Sequence, residues 1–159
     1  MFERFAKDAA KVVHDAVEEA AALGSPTIEA EHLLLAIAGG RHGGATFLLE
    51  DAGLDADALM AALEREHELS LAAAGVAIGD FELPATPPRP RRTPSFATSS
   101  KRALERALKV AVANHSRRVG ALHLLVGVLR AEFGTVPRAL AGAEVDRIAL
   151  ATRAERMLG

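Results

Sequence analysis

The chain has 159 residues, half of them hydrophobic, with only 4% aromatic, no Trp, Tyr or Cys, and a net charge of −2. That is room for one ordinary domain or two very small ones, with a core of Ala, Leu, Val and Ile that suits close-packed helices; without cysteine there is no disulfide framework, thiol nucleophile or thiolate zinc site. The small net charge hides a division, since residues 1–68 carry five Lys/Arg against fourteen Asp/Glu and residues 96–159 carry eleven against five, making the first half acidic and the second basic.

The opening, Met1 to Lys11, is charged and amphipathic, unlike a secretory signal. No apolar run approaches the roughly 20 residues of a membrane span, so a soluble, cytoplasmic protein is expected. Phe5, Ala9, Val12, Val13, Ala16, Val17, Ala20 and Leu23 recur at spacings of three and four, which predicts a long amphipathic helix. Gly24 stands where a C-terminal cap belongs and Pro26 follows it. Glu31 to Ala38 reads as a shorter, largely apolar and central helix, and the pairs Gly39-Gly40 and Gly43-Gly44 interrupt the chain after it. Ala45 to Ala52 forms a third helix ending at Gly53, and Asp55 is placed to cap a fourth carrying Leu59, Leu63 and His67. Leu69 to Ile78 is apolar enough to extend that helix, whereas Pro84 to Pro94 is too rich in proline for helix or central strand and reads as an extended tether. Four further helices follow at Ser99–Ser116, Ala121–Glu132, Val136–Ala141 and Asp146–Leu158.

The second set repeats the first. An ungapped offset of 91 places Phe5 on Phe96, Ala16 on Ala107, His32-Leu33-Leu34 on His123-Leu124-Leu125, Leu49 on Leu140, Asp55 on Asp146 and Glu64-Arg65 on Glu155-Arg156. The expected fold is therefore all-α: two pseudo-symmetric four-helix repeats, residues 1–68 and 96–159, joined by a Pro/Arg-rich linker at 69–95 and forming one compact domain together.

Catalytic signatures are missing. There is no G-x-x-x-x-G-K-[ST] phosphate loop, no G-x-S-x-G serine and no H-E-x-x-H metal motif. Among the six histidines no pair is spaced i, i+4, and His32 and His123, flanked by leucines at matching positions, read as buried structural residues bonded to nearby backbone. Neither an enzyme nor a cofactor or metal site is expected.

The opening Met1-Phe2-Glu3-Arg4-Phe5, the long helix and Glu31-His32-Leu33-Leu34-Leu35-Ala36-Ile37, with the phenylalanine-to-histidine spacing kept in both copies, resemble the Clp N-terminal repeat of ClpC-type AAA+ unfoldases. The likeness covers nearly the whole chain outside the linker. It departs from the family's glycine-threonine-glutamate-histidine phrase where threonine is Ala30 and Ala121, and where the glutamate, kept as Glu31, is Leu122 in the second copy. Loss of the threonine predicts a weaker start for both central helices, by about 1 kcal/mol each if nothing substitutes.

The resemblance implies a peptide- or protein-binding module, either an adaptor for a Clp protease or a decoy that sequesters ligands of the unfoldase. It implies two sites. One is a groove where the long helices of the copies meet, used in the family for adaptors and cyclic peptide antibiotics; the matching positions are Phe2, Val13, Val17, Phe96, Lys101, Leu104, Glu105 and Leu108. The other is a phosphoarginine pocket, in which Glu31 grips the guanidinium at a helix N-terminus that receives the phosphate; with Leu122 in the second copy, at most one such pocket is expected. The rival reading is a nucleic-acid-binding helical protein using Arg89, Arg91, Arg92 and Arg117-Arg118, against which stand the pI near 6.3 and the acidic first half.

Overall fold

A computed structural model describes residues 2–75 and 93–159, with the side chain of Phe2 outside the described set. Most of the proline-rich tether, up to Arg92, and the end of the apolar run, Val76 to Ile78, also lie outside it. The described residues form eight helices in two sets of four. The first set is α1 (Lys7–Ala22), α2 (Ala30–Gly39), α3 (Gly44–Asp51) and α4 (Ala56–Ala73); the second is α5 (Thr98–Ala113), α6 (Ala121–Leu129), α7 (Thr135–Gly142) and α8 (Arg147–Met157). The fourth helix continues past residue 68 to Ala73, absorbing the start of the segment read as linker. A 3-10 turn at Phe2–Arg4 precedes α1, and two short strands, β1 (Thr27–Ile28) and β2 (Ser95–Phe96), complete the elements.

The periodicities explain the burial. On α1 the stripe Ala9, Val12, Val13, Ala16 and Ala20 faces inward, and on α5 Ser100, Ala103, Leu104, Ala107 and Ala111 do the same. The central helices are largely apolar beyond their first turns, and Leu33, Leu34, Ile37, Leu124, Leu125 and Leu129 are fully buried. Gly24 ends the first long helix in the left-handed region, φ 71°, where a side chain would be strained. Asp55 and Asp146 cap α4 and α8, accepting from the Ala58 and Ala149 amides at 2.8 and 3.0 Å.

The two sets interlock. α1 packs mainly on α2 and α5 mainly on α6, α2 and α6 pack on each other, and the outer helices cross over, α4 against α7 and α8 against α3. One hydrophobic core runs through both sets. β1 pairs in parallel with β2, Ile28 opposite Phe96, and a matching bridge joins Phe5 to Val119. These two contacts are related by the 91-residue offset with the partners exchanged, as a two-fold relation requires. α5 and α6 come especially close at Gly127, where an added Cβ would lie 2.3 Å from the Ala103 carbonyl oxygen and 3.0 Å from the Ala107 amide.

Candidate functional site

The α2 helix begins at Ala30, with Glu29 in the preceding cap position. The Glu29 amide donates to His32 Nδ1 at 2.8 Å, and the Gly120 amide donates to His123 Nδ1 at 2.9 Å. Both rings are buried, and burial lowers both pKa values, against the opposing charges of Glu29 and Asp8 respectively. A neutral ring with Nδ1 unprotonated is what the cap requires. The two histidines thus occupy equivalent structural places.

The next amides are capped from the opposite set. Ala30 N donates to Ser99 Oγ at 2.9 Å, and Ala121 N donates to Asp8 Oδ2 at 3.2 Å. Ser99 opens α5, Asp8 opens α1, and they are 91 residues apart. The weak starts expected from the missing threonine are therefore remedied by a side chain from the other repeat.

Each capped N-terminus opens into a cleft. The larger, about 690 Å³, lies between the start of α2, the first turns of α5 and the α6–α7 connection. Its walls include Glu29, Glu31, Arg102, Arg106, Arg130 and Arg138, with Phe133 87% exposed beside them. Several of these charges are already engaged. Glu29 accepts from Thr27 Oγ1 at 3.1 Å and from the Ser99 hydroxyl. Arg130 pairs with Glu155 at 2.9 Å and Arg138 with Glu66 at 2.7 Å. Burial alone would push the Glu66 carboxyl up, but hydrogen bonds from Ser70 and Arg138, and the arginine's charge, outweigh it and hold the pKa below the usual value.

Four charges remain: Glu31, Arg102, Arg106 and Glu132. Among the described residues Glu31 forms no ion pair, and burial raises its pKa, with the carboxylates Glu29 and Glu66 adding to the rise and its own backbone amide opposing it. Arg106 donates Nε to the Gly127 carbonyl at 2.7 Å, and its guanidinium is disfavoured first by burial and then by the like charge of Arg102 one turn away. Arg102 has no ion-pair partner among the described residues. Two carboxylates, Glu31 and Glu132, and two guanidinium groups thus line one cleft without ion-pair partners among the described residues. Sequence reading singled out Glu31 but neither arginine nor the capping residues; the pairing of Ser99 with Asp8 across the repeat, two residue types that cap helices, was the available signal for the caps.

The second cleft, about 360 Å³, is the offset counterpart of the first. Leu122 stands where Glu31 does, and Asp8, Arg41, His42 and Gly120 replace Ser99, Glu132, Phe133 and Glu29. It has the same helix start and no carboxylate at the Glu31 position.

The long-helix groove differs from expectation in how it is built. α1 and α5 lie on the central pair α2 and α6, which mediates between them. Val13 and Leu104 are buried in the core, while Val17, Phe96 and Leu108 are half-buried against it. Lys101 and Glu105 are exposed on α5, and the Phe2 side chain lies outside the described residues. His14, Asp15 and Glu18 bring one ligand atom each within 4.8 Å of one another on α1, a largely exposed trio of a kind common without any ion. No described helix is long and apolar enough to cross a membrane.

Comparison with known proteins identifies the family and the fold. Residues 4–86 match the family model of the Clp repeat (R) N-terminal domain. The whole chain is 33% identical over 159 residues to the chloroplastic ClpA homolog of the ATP-dependent Clp protease ATP-binding subunit from Brassica napus, and 33% identical to the chloroplastic chaperone protein ClpC1 of Arabidopsis thaliana. It spans only 16% and 15% of their respective lengths. Among solved structures it is similar to the N-terminal domain of the ClpD chaperone of Arabidopsis thaliana, with a TM-score of 0.72 at 22% identity, covering 100% of this chain and 97% of that one. The Hsp104 N-terminal domain of Candida albicans gives a TM-score of 0.66 at 18% identity, covering 99% and 93%; both likenesses are of fold. With two interlocked four-helix repeats and a family match over more than half its length, the chain belongs to the Clp repeat N-terminal domain family.

Proposed function

We propose that this chain is a non-catalytic binding module of the Clp protease system that holds a protein partner, either delivering it as an adaptor or withholding it as a decoy. The observation that carries the reading is the cleft at the start of α2, where Glu31, Arg102 and Arg106 share one space without ion-pair partners among the described residues. Such a cleft suits a ligand with both charges. A phosphoarginine side chain offers its guanidinium to Glu31 and its phosphoryl oxygens to Arg102 and Arg106. The offset cleft has Leu122 at the Glu31 position, and its carboxylate, Asp8, already accepts from the Ala121 amide. The exposed Lys101 and Glu105, four apart on α5, form the polar rim of a separate groove for a peptide or cyclic peptide antibiotic, with Leu108 beside them.

Calorimetric titration with phosphoarginine tests the assignment. One site per chain is expected. A charged hydrogen bond contributes about 1.5–3 kcal/mol, so Glu31→Gln should weaken binding about tenfold or more while Leu122→Ala leaves it nearly unchanged. Because Glu31 must be ionised to bind a guanidinium, affinity should fall as the pH is lowered through its raised pKa. Two sites per chain, or equal losses in the two variants, would overturn the assignment.

A further inference from the structure

The bridge between Phe5 and Val119 brings two basic segments together. Val119 N donates to the Arg4 carbonyl and Ala6 N to the Val119 carbonyl, both at 2.8 Å. This sets the exposed Arg4, Arg117 and Arg118 around a shallow groove floored by Leu108 and Val112 of α5, the latter 62% exposed. No carboxylate among the described residues forms an ion pair with any of the three arginines.

The duplication supplies an internal control. The offset counterpart is the β1–β2 pairing, where the same parallel backbone contact is made by Ile28 and Phe96. There the arginine positions are held by Ser95, Pro26 and Thr27, and the floor by Val17 and Ala21. The backbone construction forms without charge in one copy, so it does not require three arginines in the other. Clustered like charges oppose one another, and a partner that neutralises them would remove that cost.

We propose that this groove docks an acidic segment of a protein partner, two or three of its carboxylates meeting Arg4, Arg117 and Arg118 and an apolar side chain resting on Leu108 and Val112. The inference rests on the reading of the chain as a protein-binding module but not on the Glu31 cleft. A peptide fits better than a nucleic acid because the groove is short, its floor is aliphatic with no aromatic residue to stack a base, and residues 1–68 carry a strong excess of acid.

Fluorescence anisotropy decides it with three probes: a fluorescein-labelled peptide of Glu, Asp and Leu, the same peptide with Gln and Asn replacing the acids, and a labelled single-stranded oligonucleotide. The variant Arg4→Ser, Arg117→Ala, Arg118→Thr takes small uncharged residues, as the other copy does, and should keep the wild-type circular dichroism and melting temperature. At low salt it should bind the acidic peptide about tenfold more weakly, the sum of three exposed ion pairs, and the difference should shrink in high salt. Glu31→Gln should bind this peptide as wild type does, so failure of the phosphoarginine assignment and failure of this one are separable. The proposal is overturned if the triple variant retains wild-type affinity, if the acidic peptide binds no better than its amide counterpart, or if the oligonucleotide binds more tightly than either peptide.

Discussion

Replacing Ser99 by Ala tests whether the two repeats hold each other's central helices in place. Ser99 Oγ accepts from Ala30 N at 2.9 Å and gives its own proton to Glu29. The variant leaves a buried helix N-terminus with one amide unsatisfied, while Glu29 keeps only its bond from Thr27. Loss of a side-chain cap costs typically about 1 kcal/mol, and the burial of Ala30 argues against rescue by water. For a chain of this size that lowers the melting temperature by about 2–4 °C. Asp8→Ala should lose a similar amount through the α6 start, with an added contribution from the lost charge near a helix N-terminus. Asp55→Ala, which removes a cap within one repeat, is the reference. Urea unfolding followed by circular dichroism measures all three. If Ser99→Ala and Asp8→Ala leave the unfolding free energy unchanged within about 0.3 kcal/mol while Asp55→Ala lowers it, the cross-repeat caps contribute nothing and the reasoning fails.

Two further outcomes are expected. Gly127→Ala drives a methyl group into the α5 backbone and should cost about 1–3 kcal/mol in the same unfolding assay, because helix backbones give way less readily than side chains. Burial raises the folded-state pKa of Glu31 above its ordinary 4.5, so the folded protein holds this proton more tightly than the unfolded chain. The stability this group confers is therefore full below the unfolded value and lost as pH rises through the folded value. Glu31→Gln should accordingly melt above the wild type at neutral pH, with the gap closing on acidification; a variant that melts lower at neutral pH would show that Glu31 is a stabilising residue.

The eight helices were legible because apolar spacing, Gly24 and the two Asp caps each marked a boundary locally, and the offset of 91 let each copy check the other. What could not be read locally was any contact between copies. The caps on α2 and α6 come from 69 and 113 residues away, so a reading confined to the neighbourhood of Ala30 and Ala121 found only a missing threonine. The groove residues were ambiguous for another reason. Val13 and Leu104 carry the same apolar character whether they face a ligand or the core, and only the placement of α1 and α5 on the central pair assigns them to the core. Arg102 and Arg106 were passed over because, on an isolated amphipathic helix, charged positions read as solvent-facing. It is the α6–α7 connection that turns this face into a cleft wall.

An internal duplication separates residues that a repeat needs from residues that one copy has acquired. Where both copies keep the same chemistry, as at His32 and His123, Asp55 and Asp146, or the caps Ser99 and Asp8, the structure shows a hydrogen bond that the helix start requires. Where the copies part, the scaffold survives either residue. Glu31 against Leu122, and Arg4, Arg117 and Arg118 against Ser95, Pro26 and Thr27, all depart in this way at positions lining a concavity. In each case the charged member lacks an ion-pair partner among the described residues, and Glu31 is disfavoured by its burial. A group that the fold does without in one copy, and leaves unpaired in the other, is better explained by something bound than by folding.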